Sequence, residues 1–162
     1  MRPAGVLVGV DLTGQRPEVI LTRRALHLRH HPGQIALPGG GQEPGDSDVT
    51  AAALREAQEE IGLPEGGAAV LGALPAHETV TGFHVTPVVA LIERPFAMKL
   101  DRGEVEEAFR VPLDHLLDLG QYRVEGRVWG GRMRHYHVVP WGPYYIWGAT
   151  ARILRGLAER AL

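Results

Sequence analysis

The chain has 162 residues, no cysteine and a formal charge of -2 at pH 7. That length suits one domain with a real core, spanning residues 1–162. The charge leaves no basic footprint for nucleic acid, and the lack of thiols excludes a disulfide framework, a thiolate metal site and a thiol nucleophile. No apolar run approaches the roughly 20 residues of a membrane helix, and Met1-Arg2-Pro3 leads into a short apolar stretch without a signal-peptide cleavage pattern. A soluble cytoplasmic protein without membrane or nucleic-acid partners is expected.

Ala4 to Val10 and Glu18 to Thr22 are β-rich runs on either side of the turn signal Asp11-Leu12-Thr13-Gly14, which predicts a hairpin. Arg23 to Gln34 is basic and histidine-rich and reads as a loop leading to Ile35-Ala36-Leu37. Gly39 to Ser47 is dense in turn formers. Asp46, Ser47 or Asp48 can then cap a helix running to Ile61, which Gly62 and Pro64 end. Ala69 to Leu74 and Val85 to Ile92 read as strands, the second almost wholly apolar and therefore central. Glu104 to Phe109 is expected to form one helical turn and Leu113 to Leu117 a short helix. Tyr122 to Trp129 and Arg132 to Val139 flank Gly130-Gly131 as a second hairpin, and Tyr144 to Leu162 is expected to close the chain as an amphipathic helix. Strands and helices mix without strict βαβ alternation, so an α+β fold with a mixed sheet between helices is predicted.

The helix before Gly62 carries Glu56, Glu59 and Glu60. At about 100° per residue, Glu56 and Glu60 fall nearly on one line with Glu59 close by. That line also holds Val49, Ala52 and Ala53, whereas Ala51, Arg55 and Gln58 are assigned to the solvent side. Three glutamates can form a solvated acidic face. Set against packing residues, however, they repel one another and lose hydration, which a hard divalent cation such as Mg2+ would offset. Arg55, one turn before Glu59, can pair with it.

Arg55-Glu56-Ala57-Gln58-Glu59-Glu60-Ile61-Gly62-Leu63 resembles the core of the Nudix hydrolase signature at every fixed position. The resemblance implies a Nudix fold, an αβα sandwich around a mixed sheet covering essentially the whole chain. It also implies Mg2+- or Mn2+-dependent cleavage of a nucleoside diphosphate linked to another group. The metal is expected on Glu56 and Glu60, with Glu59 and the Gly40 carbonyl completing or orienting its shell. The general signature places a glutamate eight residues before the arginine, where this chain has Ser47, and Asp46 stands one residue earlier.

Ile20-Leu21-Thr22-Arg23-Arg24-Ala25-Leu26-His27-Leu28-Arg29, followed through Gly33 by Leu37-Pro38-Gly39-Gly40, resembles the second motif of the coenzyme A pyrophosphatase subfamily. Leu37 replaces that motif's phenylalanine, and the shift to Asp46 is in keeping with the subfamily. Gly82 to Val89 and Trp147 to Ala151 are similar to further subfamily segments. The substrate implied is coenzyme A or a thioester, with 3′,5′-ADP and 4′-phosphopantetheine as products. Arg24 and Arg29, with Gly39 and Gly40, are the expected phosphate contacts, since guanidinium groups fork onto phosphate oxygens. Surface arginines that keep an edge soluble are the alternative.

His27, His30 and His31 read better as exposed loop residues than as ligands or proton shuttles. Glu104, in an acidic loop resembling the subfamily's acid before Val, is the candidate general base; the plainer alternative is a surface acid. ADP-ribose or another nucleoside diphosphate derivative is the rival substrate, and a non-catalytic nucleotide sensor the rival class. Subfamily members usually carry an extra segment before the first strand, where this chain begins almost at the strand. The sequence leaves a homodimer open.

Overall fold

The computed structural model describes residues 1–29 and 31–161; His30 and Leu162 lie outside the described residues. Its centre is a pair of ten-residue strands, β1 (Arg2–Asp11) and β7 (Phe83–Ile92), which run parallel in unbroken register from Arg2 opposite Phe83 to Asp11 opposite Ile92. β2 (Glu18–Arg24) returns antiparallel to β1, forming the predicted hairpin. β5 (Ala69–Ala73) lies antiparallel on the other side of β7, so the apolar β7 is interior to the sheet as expected. Short strands complete the sheet: β3 (Ile35–Ala36) on β2, β4 (Gly39–Gly41) on β1 and β6 (His77–Glu78) on β7. Parallel and antiparallel pairs together make a mixed sheet.

Gly39–Gly41 is not a turn. Its three glycines pair with Val6, Gly5 and Ala4 of β1, because a Cβ at Gly39 would meet the Gly5 carbonyl oxygen at 2.4 Å. Nor does Glu104 to Phe109 form a helical turn. Val105–Pro112 is a strand, β8, antiparallel to β2. Val105, Phe109 and Val111 of that strand are buried, a period-2 pattern, and Pro112 disfavours helix interior geometry.

Alternation along the central strands feeds two cores. Leu7, Ile20, Val88 and Ala90 face α1 (Val49–Ile61), meeting its Ala53, Ala57 and Ile61. Val8, Val10, Val19, Leu21, Phe109 and Val111 face the opposite way, toward Leu116 of α2 (Leu113–Leu117) and Ala151, Ile153 and Leu154 of α3 (Ala149–Arg160). Helices therefore cover both faces of the sheet.

The last expected helix is shorter than its periodicity suggested. Gly148 sits at φ 69°, outside helical space, so α3 begins only at Ala149, and Trp141 bridges to Tyr144 in a tight turn before it. The second hairpin forms as predicted, β9 (Arg123–Trp129) against β10 (Arg132–Val138), as a separate two-stranded sheet.

Candidate metal and substrate site

Asp48 is the residue that caps α1, its carboxylate accepting the Ala51 N–H at 2.8 Å. Gly62, at φ 77°, closes the helix in the left-handed conformation that glycine adopts without strain. The helix lies hard against β1. A Cβ on Gly5 would come within 2.0 Å of the Val49 carbonyl oxygen, so only glycine allows this approach. Beyond the helix, Lys99 and Asp101 donate their N–H groups to the Ile61 and Glu60 carbonyls at 2.9 and 3.0 Å. That strap turns through Asp101 and delivers Glu104, whose carbonyl is fixed by the Ala25 N–H at 2.8 Å.

Glu56, Glu60 and Glu104 thereby converge, each offering a carboxylate oxygen within 4.8 Å of the others. Glu60 is only 6% exposed and accepts the Gly39 N–H at 3.1 Å. Burial above all, reinforced by Glu56 and Glu104, pushes its carboxyl up to about 8, against the pull of the Gly39 N–H and of Arg24. Burial likewise raises Glu56, although Arg55 opposes it. Three converging carboxylates repel one another unless one is protonated or a cation bridges them. All their donors are hard oxygens, the chemistry that Mg2+ and Mn2+ accept. The residues fit a divalent ion.

Arg55 does not face solvent as its helical position suggested. The segment 42–48 folds back over that side of α1 and leaves its side chain 23% exposed. The guanidinium donates through Nε and Nη2 to Asp46 at 3.0 Å, through Nη2 to the Gly41 carbonyl at 3.2 Å, and through Nη1 to Glu56 at 3.0 Å. It also reaches Glu59 at 3.3 Å, the pairing expected from the sequence. Glu59 itself is largely exposed, 55% at the side chain, and lies beside the triad of carboxylates instead of within it. Asp46 is thus the arginine's main partner, which holds its carboxyl below the usual range.

Gly40 backs this cluster closely, since a Cβ there would sit 2.7 Å from the Glu56 carboxyl carbon. Gly40→Ala should therefore displace Glu56 by a fraction of an ångström or more. The expected result is a loss of turnover of about a hundredfold with little change in far-UV circular dichroism. Unchanged turnover in that variant would mean Glu56 has room to spare.

Of the arginines, Arg24 is half-buried and its charge weakly offsets the rise at Glu60. Arg29 is exposed on the loop after β2, as are His27 and His31. Arg23 points to the other face of the sheet. There it pairs with Glu107, which also accepts the Tyr144 hydroxyl, and its guanidinium lies 5.8 Å from the Tyr144 ring centroid. That Arg23–Glu107–Tyr144 network had no signature in the sequence beyond the β alternation that was missed at Glu107.

Residues 1–129 match the family model of the NUDIX domain. The chain belongs to the Nudix hydrolase family. A curated relative, the uncharacterized Nudix hydrolase NudL of Salmonella paratyphi B, is 43% identical over 157 residues, covering 97% of this chain and 81% of that protein. Among solved structures, the Nudix hydrolase RenU of M. smegmatis is 27% identical with a TM-score of 0.59, over 70% of this chain and 72% of that one. The NUDIX domain of Shewanella oneidensis NrtR, crystallised with ADP ribose, matches the fold across 100% of this chain and 89% of its own at a TM-score of 0.62 and 15% identity. The mixed sheet between helices is therefore the Nudix fold that the helix motif implied. Among the described residues, no helix is long and apolar enough to cross a membrane.

Proposed function

We propose that this Nudix hydrolase is a cytoplasmic pyrophosphatase that cleaves the diphosphate of coenzyme A or its thioesters, giving 3′,5′-ADP and (acyl-)4′-phosphopantetheine. The observation carrying the hydrolytic part is the convergence of Glu56, Glu60 and Glu104 behind Gly40. The preference for coenzyme A rests on the segment Ile20 to Gly40, whose arginine and glycine spacing resembles the subfamily motif.

Glu56 and Glu60 would hold the divalent ion, with Glu59 and the Gly40 carbonyl completing or orienting its shell. Bound there, Mg2+ or Mn2+ supplies charge neutralisation for the diphosphate and a more acidic water. Arg55 fixes the Glu56 rotamer and Gly39 fixes Glu60. Glu104 takes the proton as a water oxygen bonds to phosphorus, and the bridging phosphorus–oxygen bond breaks to leave two phosphomonoesters. Arg24 and Arg29 contact substrate phosphates. No covalent intermediate is required.

A hydrolysis panel with coenzyme A, acetyl-coenzyme A, ADP-ribose and diadenosine polyphosphates, each with Mg2+ and Mn2+, tests the reading. Coenzyme A or its thioester should give the highest kcat/KM. A clear preference for ADP-ribose would replace the substrate, and ligand binding without turnover would replace the enzyme by a sensor.

A further inference from the structure

On the α3 side of the sheet, Arg23, Gly33, Gln34, Ile35, Tyr144 and Trp147 help to line a pocket of about 270 Å³. That volume lies just under the range of pockets that hold a whole drug-sized ligand, so it suits one ring system of a larger molecule. Tyr144, Tyr145 and Trp147 give it one aromatic side. The Trp147 ring lies 5.7 Å from Trp129 and 5.0 Å from Tyr136, tying the pocket to the second hairpin.

That hairpin has two unlike faces. Register places Arg127 opposite Arg134, and Arg132 opposite Trp129, all on the face that carries Tyr136. Arg127 lies over both Trp129 and Trp147, at 5.7 and 6.0 Å from their ring centroids. Like charges directly opposite on neighbouring strands repel. The acid on this face, Glu125, is engaged by Arg123 and the Tyr145 hydroxyl, and among the described residues no carboxylate pairs with Arg127 or Arg134. A pocket with Arg127 over its Trp147 wall, and Arg134 opposite Arg127 in the hairpin register, matches an aromatic base whose sugar bears a phosphate monoester.

The pocket also lies within reach of the carboxylates. Ile35 lines it, and Gly39, four residues on, donates to Glu60; extended chain of that length spans at most about 14 Å. Arg23 lines the pocket, and its neighbour on β2, Arg24, is close enough for its charge to act on Glu60.

We infer that this pocket holds the base of the nucleoside diphosphate substrate while Arg127 and Arg134 bind a phosphate monoester on its ribose. The inference rests on the proposed substrate and adds the element that separates 3′-phosphorylated nucleotides such as coenzyme A from ADP-ribose. Second-hairpin residues past Trp129 lie beyond the stretch matched by the NUDIX domain, where selectivity can vary without touching the metal helix.

Titration of the full chain with adenosine 3′,5′-bisphosphate and with 5′-AMP tests it directly, read by calorimetry and by the fluorescence of Trp129 and Trp147. Neither probe contains a diphosphate, so binding is read without turnover. The bisphosphate should bind at least about tenfold more tightly than 5′-AMP. Arg127→Gln with Arg134→Gln should bring that ratio close to one, and the corresponding double lysine variant should restore much of it. Equal affinities in the wild type, or a ratio indifferent to the glutamine pair, would overturn the inference. If the ratio holds while no diphosphate is hydrolysed, the enzyme reading fails and this subsite stands. If coenzyme A is hydrolysed without such a ratio, the subsite alone fails.

Discussion

Glu60→Gln should lower kcat by about a thousandfold at saturating Mg2+, equivalent to about 4 kcal/mol of transition-state stabilisation. The same variant should be more stable than the wild type in EDTA at alkaline pH. Glu60 is the most buried carboxylate of the site, and its folded-state pKa of about 8 stands above the ordinary value of 4.5. Between those values the native state binds more protons than the unfolded chain. The stability contribution is therefore complete below about pH 4.5 and is lost as pH rises through 8. The loss is on the order of 3–5 kcal/mol in the metal-free protein. Glutamine keeps the acceptor for the Gly39 N–H and never ionises. Its Tm in EDTA should therefore fall less with rising pH and exceed the wild type's at pH 9 by about 6–20 °C. Added Mg2+ should reverse the order, because the ion binds the deprotonated carboxylates. A metal-free wild type equally stable at pH 6 and pH 9 would contradict the burial of an ionisable Glu60.

Arg55 carries the second large effect. One guanidinium holds Asp46, Glu56, Glu59 and the Gly41 carbonyl, so it sets the Glu56 rotamer and binds the 42–48 segment to the helix. Arg55→Lys offers a point charge in place of a fork and cannot serve these partners together. Activity should fall about 10–100-fold in Arg55→Lys and no less in Arg55→Ala, the usual scale for removing a group that orients metal ligands. Arg55 also lowers the Glu56 carboxyl against the effect of burial. Its removal should move the midpoint of Mn2+ binding, followed by paramagnetic resonance against pH, to a higher value. A lysine variant with near-normal turnover would show that charge alone suffices there.

How much of this was legible in the sequence varies by element. The metal helix was legible because its boundary residues act locally: Asp48 caps it, Gly62 ends it, and a 3.6-residue repeat aligns Glu56 with Glu60. The hairpins were legible through alternation and turn residues. Arg55 was misplaced because the residues covering it, Gly41 and Asp46, come from a strand and loop whose position depends on pairing with β1. Val105–Pro112 was missed because three acids at Glu104, Glu106 and Glu107 obscured the alternation of Val105, Phe109 and Val111. The convergence of Glu104 with the helix depends on the Lys99–Asp101 strap, a backbone contact that side-chain spacing does not announce.

The parallel pairing of β1 with β7 bears on how the chain is made. Arg2 finds its partner at Phe83, 81 positions later, so the first strand leaves the ribosome long before its neighbour exists. At about 5–20 residues per second the nascent apolar segment waits roughly 4–16 seconds, with β2, β4 and α1 but not its longest partner to cover it. Loop closure over that separation should make assembly slow relative to helical proteins of equal size. Until Ile92 has emerged, the interval favours guarding by chaperones.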